Sequence, residues 1–300
     1  MKPFALPPYT HIANIHLQVS NLERSLTFYA GMMGFKEIHR GKALADLSAS
    51  GTDPFLIRLS EKPGARPKPP RTTGLYHIAI RLPDRSSLAR LFQRLIDSQV
   101  PFQGFSDHKV SEALYLADPD GNGVELYVDR PRSQWPRLDD MIAMTTDPLD
   151  VEDLLHQAEG NTSPWRGIHP ETDIGHIHLQ VSDLAQTEDF YHGLLGFDVT
   201  QRFYPGALFL SAGGYHHHLG TNIWDSRAAP PPPADAVGLL SFAIRIPDWT
   251  TWKALNVRLQ ESNIPIELQE TDSTASLLIH DPAQNRVELI VDRSTHAAIS

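Results

Sequence analysis

Cysteine is missing from all 300 residues, which excludes disulfides and thiolate ligands and leaves imidazole, carboxylate and water to hold any metal. Long apolar runs are missing too: none approaches the roughly 20 residues of a membrane span, and prolines break the opening MKPFALPPYT before an apolar signal core could form. No membrane partner is expected, and a cytoplasmic location is. The third absence is a surplus of positive charge. With 26 Lys and Arg against 36 Asp and Glu the net charge is −10, which argues against nucleic acid or an anionic lipid surface and makes small-molecule chemistry the default. What is present, 41% hydrophobic and 21% charged residues, is the balance of a soluble globular protein. Three hundred residues exceed what one core ordinarily organises, so two domains are expected.

The chain repeats itself. IANIHLQVSNLERSLTFYAGMMGF at 12–35 returns as IGHIHLQVSDLAQTEDFYHGLLGF at 174–197. GLYHIAIRLPD at 74–84 returns as GLLSFAIRIPD at 238–248, and DPDGNGVELYVDR at 118–130 as DPAQNRVELIVDR at 281–293. Each copy divides again. An alternating strand, with Ile15, Leu17 and Val19 on one face and His16 and Gln18 on the other, precedes Asn21 as an N-cap and Leu22, Leu26 and Tyr29 at helical spacing. The second unit has the same plan: LYHIAIRL alternates, Asp84 caps, and Leu88, Leu91, Phe92 and Leu95 form one helical stripe. Short strands follow each helix and end in GVELYV or RVELIV after a turn. The expected fold is α+β: four βαβββ modules in two duplicated domains.

Proline-stiffened spacers, EKPGARPKPPRTTG at 61–74 and AAPPPPADA at 228–236, join modules one to two and three to four. The expected limits are a first domain at 1–130, a linker at 131–173, and a second domain at 174–300. The linker holds a short helix near TDPLDVEDLLHQA, read with Asp147 as N-cap and Pro148 at the first helical position.

These paired modules, with HIHLQVSDL, FY, LGF and DPDGNGVEL, resemble the vicinal oxygen chelate superfamily of glyoxalases, bleomycin-resistance proteins and extradiol dioxygenases. GLYHIAI, SDHKVSEALYLADPDGNGVELYVDRP and SAGGYHHHLGTNIW are similar to its two-domain catechol 2,3-dioxygenases. The resemblance implies that modules pair into cups of β-sheet with helices outside and a metal inside. It also implies ligands on the first strand of each module and on the VEL strand.

Comparing the copies sorts those positions. The first strands carry Asn14, His77, His176 and Ser241 in modules one to four, and the VEL strands carry Glu125 and Glu288. If each half closed its own cup, each would be one histidine short. If module two instead faces module three, that cup collects His77, Glu125 and His176, leaving Asn14, Ser241 and Glu288 to an inert one. Two histidines and one carboxylate are the facial triad of non-haem Fe(II) oxygenases. The resemblance therefore implies Fe(II), or Mn(II) in its place, with a small aromatic diol and O2 as partners and a muconic semialdehyde as product. A homo-oligomer stays open.

His108 and Tyr115 belong to module two alone, where module four has Thr271 and Leu278, and they are expected to hydrogen-bond the substrate. In YHHHLG the resemblance favours His217 as the acid–base residue. Strand alternation competes: Leu219 turned to the core would put His216 and His218 in the cup, unless a bulge at Gly213 and Gly214 presents His217. Both assignments stay open, with His216, His218, Asn222 and Trp224 taken as substrate-facing. His216 or His218 with His176 and Glu288 makes a second candidate metal set. His16 and His178, shared by both copies, read as structural. Two other classes are compatible with the fold: a glyoxalase-like isomerase using Ni or Zn, and a drug-binding module without chemistry.

Overall fold

Strict apolar alternation forces these segments to bury one face as sheet, and the helical stripes supply the cover. The computed structural model describes residues 4–159 and 163–295. Module one contributes β1 (His11–Val19), α1 (Leu22–Leu26), β2 (Lys36–Arg40), β3 (Leu44–Ser48) and β4 (Ile57–Glu61). Module two contributes β5 (Gly74–Leu82), α2 (Arg85–Asp97), β6 (Phe102–Asp107), β7 (Ser111–Ala117) and β8 (Gly123–Asp129). A small hairpin, β9 (Arg137–Leu138) and β10 (Met141–Ile142), and α3 (Val151–His156) follow. Module three is β11 (Asp173–Gln180), α4 (Leu184–Glu188), β12 (Asp198–Gln201), β13 (Ala207–Ser211) and β14 (Leu219–Asn222). Module four is β15 (Gly238–Arg245), α5 (Trp249–Glu261), β16 (Glu267–Glu270), β17 (Thr274–His280) and β18 (Arg286–Asp292).

Two eight-stranded sheets result, ordered β12-β13-β14-β11-β5-β8-β7-β6 and β16-β17-β18-β15-β1-β4-β3-β2. Module two thus faces module three, and module one faces module four, across the antiparallel pairs β5/β11 and β1/β15. Within each module the first strand runs parallel to the last, as in β5/β8 and β11/β14.

The helices form as their sequences dictate. Asn21 Oδ1 accepts from the Arg24 N–H at 2.8 Å and Asp84 Oδ1 from the Ser87 N–H at 2.7 Å, capping α1 and α2. Leu88, Leu91, Phe92 and Leu95 are all buried beneath α2. Both α1 and α4 widen into π-helical turns, Thr27–Met32 and Asp189–Leu194, a widening that 3.6-residue spacing does not foretell. Each turn buries a tyrosine whose hydroxyl donates to the aspartate of the following DP turn, Tyr29 to Asp118 at 3.1 Å and Tyr191 to Asp281 at 2.9 Å. These bonds lock the two modules of a half together. The helix read from Asp147 starts later: Asp150 caps α3, while Asp147 forms a β-bridge with Asp107 and pairs with Lys109 at 3.0 Å. Among the described residues no helix is long and apolar enough to cross a membrane.

Candidate active site

Strand register assembles the site. Across β8, β5 and β11 the residues Glu125, Ala79 and His176 stand in one row, and His77 lies two positions from Ala79 on the same face. Alanine at the centre leaves the space above it to the longer side chains around it. The β5/β11 ladder shifts between Ile174 and His176, at Gly175, whose Cβ would lie 1.7 Å from the Tyr127 hydroxyl oxygen. Only glycine lets the strand pass there and present His176.

One ligand atom each of His77, Glu125 and His176 falls within 4.8 Å of the others, and all three residues are buried. His77 Nε2 and His176 Nε2 approach the same oxygen, Glu125 Oε2, at 3.0 and 3.2 Å. His77 Nε2 completes no hydrogen bond, although it is buried. A buried imidazole nitrogen without a partner, aimed at a carboxylate that a second imidazole also faces, fits a divalent cation held by all three. Burial opposes the Glu125 charge, but the facing imidazoles of His176 and His77 hold its carboxyl well below the usual range. His176 is pulled down to about 4 by burial, against the pull of Glu125. At neutral pH this pair is therefore a carboxylate and a neutral imidazole, the forms a metal requires.

Above the trio opens a cavity of about 420 Å³ whose walls include Tyr76, His108, Tyr115, His178, Tyr204, Phe209, His217 and Trp224. His217 enters it because residues 212–218 are not a strand. The chain turns through Gly213 and Gly214, both with φ above +60°, so alternation does not govern the triple histidine. The His217 ring lies against His176, with centroids 4.1 Å apart. His216 and His218, expected against substrate, do not line the cavity. His216 Nε2 donates to Asp129 Oδ1 at 2.9 Å, and His218 Nδ1 binds the Ser211 hydroxyl and the Ala212 N–H. Asn222 is likewise outside the cavity, its side-chain amide 3.0 Å from His178 Nε2, whereas Trp224 is in the wall.

Behind His217 the bonds form a line from Asp129 to His216 to His217, the last link joining the two Nδ1 atoms at 2.9 Å. In the tautomer that gives His216 Nε2–H to Asp129, His216 Nδ1 accepts from His217 Nδ1–H. That leaves His217 Nε2, with its lone pair, as the nitrogen available to the cavity. Asp129 is held by Arg81 at 3.1 Å and by the Tyr215 hydroxyl at 3.0 Å. His108 is fixed similarly: its Nδ1–H donates to the Thr145 carbonyl at 2.6 Å, so its Nε2 accepts from Tyr115 O–H at 2.7 Å. Burial first, then the nearby Glu125 charge, keep the Tyr115 phenol well above its ordinary range.

His178 was missed as a cavity residue, although it lies two positions from His176 and shares its face. Its counterpart His16 binds Ser60 Oγ at 2.7 Å in the other sheet, where Ser241 donates to Glu288 at 3.1 Å and Arg58 pairs with Asp46. There the polar groups satisfy one another. Among the described residues no second metal-holding group forms, so the alternative set of His176 and Glu288 is not assembled.

So much buried imidazole has a cost in acid. An unfolded histidine titrates near 6.5, whereas burial lowers His176 to about 4 and His218 to about 3, and burial with neighbouring imidazoles holds His178 and His217 well below the ordinary value. Between pH 6.5 and 4 the unfolded chain therefore binds more protons, and each such histidine removes up to about 1.4 kcal/mol of stability per pH unit of acidification. The urea midpoint of metal-free protein is expected to vary little from pH 8 to 7 and to fall steeply below 6.5. A midpoint flat down to pH 5 would mean that these rings take up protons without unfolding.

A family model described as the Glyoxalase/Bleomycin resistance protein/Dioxygenase superfamily matches residues 10–126 and 173–289. A catechol-2,3-dioxygenase of Bacillus subtilis is 46% identical over 279 residues, covering 91% of this chain and 94% of the relative. A biphenyl-2,3-diol 1,2-dioxygenase of Rhodococcus globerulus is 27% identical over 42% of this chain and 64% of its own. Glyoxalase I of Zea mays superposes with a TM-score of 0.57 at 16% identity, over 96% of this chain and 94% of that one, which is a likeness of fold. With the family model covering most of both halves and the Bacillus relative covering nearly the whole, the chain belongs to the glyoxalase/bleomycin resistance protein/dioxygenase superfamily, as an extradiol dioxygenase-like enzyme.

Proposed function

We propose that the protein cleaves the ring of a catechol next to its diol, using O2 and a metal held by His77, Glu125 and His176. Fe(II) is the favoured metal, from the match of two imidazoles and one carboxylate to the facial set of non-haem oxygenases, with Mn(II) as the alternative. The observation that carries the reading is the convergence of these three residues at the floor of a cavity whose wall includes the imidazole of His217. When bound, the metal supplies Lewis acidity that lowers the proton affinity of the diol oxygens.

The chain's own groups do the rest. His217 Nε2 accepts the second phenolic proton and returns it as the ring opens. Burial, and after it the neighbouring imidazoles, disfavour the charged ring, and the line of bonds through His216 to Asp129 is the contact that opposes them. The Tyr115 hydroxyl, whose proton goes to His108, keeps its oxygen lone pairs to accept a phenolic O–H of the substrate. His178, fixed by Asn222, closes the wall beside His77, with ring centroids 4.8 Å apart.

Anaerobic reconstitution with Fe(II) or Mn(II), followed by air and a catechol panel, tests this. The expected result is stoichiometric O2 uptake with a yellow muconic semialdehyde. Metal uptake without O2 consumption on any catechol would end the reading, and turnover of a hemithioacetal with Ni or Zn would replace it with isomerisation.

A further inference from the structure

The cavity is larger than a bare diol ring requires: about 420 Å³ lies in the range of roughly 300–1,000 Å³ typical of sites for drug-sized ligands. Its outer wall is aromatic. Trp224 contacts Tyr76 at 5.5 Å, Tyr204 at 6.0 Å and His178 at 5.8 Å between ring centroids, so the belt begins beside the metal ligands and runs outward. Tyr76 and Trp224 are 42% and 47% exposed, apolar surface left open at the cavity wall. The indole is nonetheless held in place. Its Nε1–H donates to the Pro205 carbonyl at 2.8 Å, and it lies against Gly206, where a Cβ would stand 3.0 Å from it.

Charge is distributed the other way. Among the described residues no lysine or arginine lines the cavity, and Glu125 is its one carboxylate. A carboxylate on the ring substituent would meet no cationic side chain away from the metal, and a buried charge without such a partner is costly. A flat, uncharged ring meets indole and phenol surfaces that gain from stacking or edge contact.

We propose that Tyr76, Tyr204 and Trp224 form the subsite for the ring substituent, and that it selects catechols bearing an uncharged aryl group over catechols bearing a carboxylate. This rests on the ring-cleavage reading above. The iron-loaded enzyme is to be assayed with catechol, a phenyl-substituted catechol and a carboxylate-substituted catechol, and the metal-free protein titrated with the phenyl compound by calorimetry. The phenyl compound is expected to exceed the carboxylate in kcat/KM by about thirtyfold or more, the scale set by an unpaired charge. Trp224→Ala is expected to lower kcat/KM for the phenyl compound about three- to tenfold, the scale of one aromatic contact, to weaken its calorimetric Kd likewise, and to affect catechol less. Trp224→Phe restores most of the loss, and Tyr204→Ala repeats the pattern. A carboxylated catechol turned over as well as the phenyl one, or equal losses on catechol and the phenyl compound, would overturn the proposal. If no catechol is cleaved while metal-free protein binds the phenyl compound through Trp224, the subsite stands and the ring-cleavage reading falls.

Discussion

His77→Ala is expected to leave a folded protein that retains less than about a tenth of the metal bound by the parent after reconstitution and dialysis. Even outer partners of metal ligands cost about 10- to 100-fold in affinity when removed, and a direct ligand costs more. His77 belongs to a set of three, so its loss leaves His176 and Glu125, two donors where the facial arrangement needs three. Glu288→Gln is the matched control. That carboxylate accepts from Ser241 in the other sheet and joins no metal-holding group among the described residues, so the variant should retain metal at parental stoichiometry. A second readout does not depend on catalysis. A metal that binds only the folded state raises stability by about 2.7 kcal/mol at a hundred times Kd, so added Fe(II) or Mn(II) under anaerobic conditions should raise the parent's Tm and leave that of His77→Ala unmoved. Metal lost from Glu288→Gln and kept by His77→Ala would move the centre to the opposite sheet.

The convergence of that trio was legible because the two halves are recognisable copies that differ at the ligand positions. A strand position that is His in modules two and three and Asn or Ser in modules one and four carries information about pairing, since only one arrangement gathers the histidines. The sheets have that arrangement, with β5 against β11 and β1 against β15. The same comparison hides residues common to both copies. His16 and His178 look alike in sequence, and what separates them is their neighbours: His16 meets Ser60 from β4, whereas His178 meets Asn222 from β14 and lies beside Tyr76 and Trp224. A residue's role there is set by the adjacent strand.

The triple histidine resisted a reading by period for a physical reason. Alternation assigns faces only where the backbone is extended, and two successive residues at positive φ, Gly213 and Gly214, reset the phase between β13 and β14. Gly213 is confined as well as bent, for a Cβ there would lie 2.4 Å from the Pro8 carbonyl oxygen. The three rings then diverge: His216 to Asp129, His217 to the cavity, and His218 back to Ser211. Asp147 misled for a related reason, because an Asp-Pro pair suits a helix start, but its backbone is already committed to Asp107.

His217→Ala is expected to reduce kcat by about 10²- to 10⁴-fold, the usual worth of a positioned acid–base group, while KM and metal content change little. The ring is packed between His176 and Phe209, with centroids 4.1 and 4.9 Å away, so truncation opens space, and His217→Gln serves as the variant that keeps volume without a base. Both should show the same loss. Asp129→Asn probes the line behind it. An amide can turn its nitrogen toward His216 Nε2, which would reverse the donor and acceptor along both imidazoles and leave His217 Nε2 protonated toward the substrate. The expected cost is smaller, about tenfold in kcat, because the base is present and only its tautomer is wrong for part of the population. Its signature is a nitrogen NMR spectrum in which His217 carries its proton on Nε2, in protein that binds metal at parental stoichiometry. If His217→Gln turns over within threefold of the parent, the proton is handled elsewhere, and His108 with Tyr115, already joined at 2.7 Å across the cavity wall, becomes the pair to which the role passes.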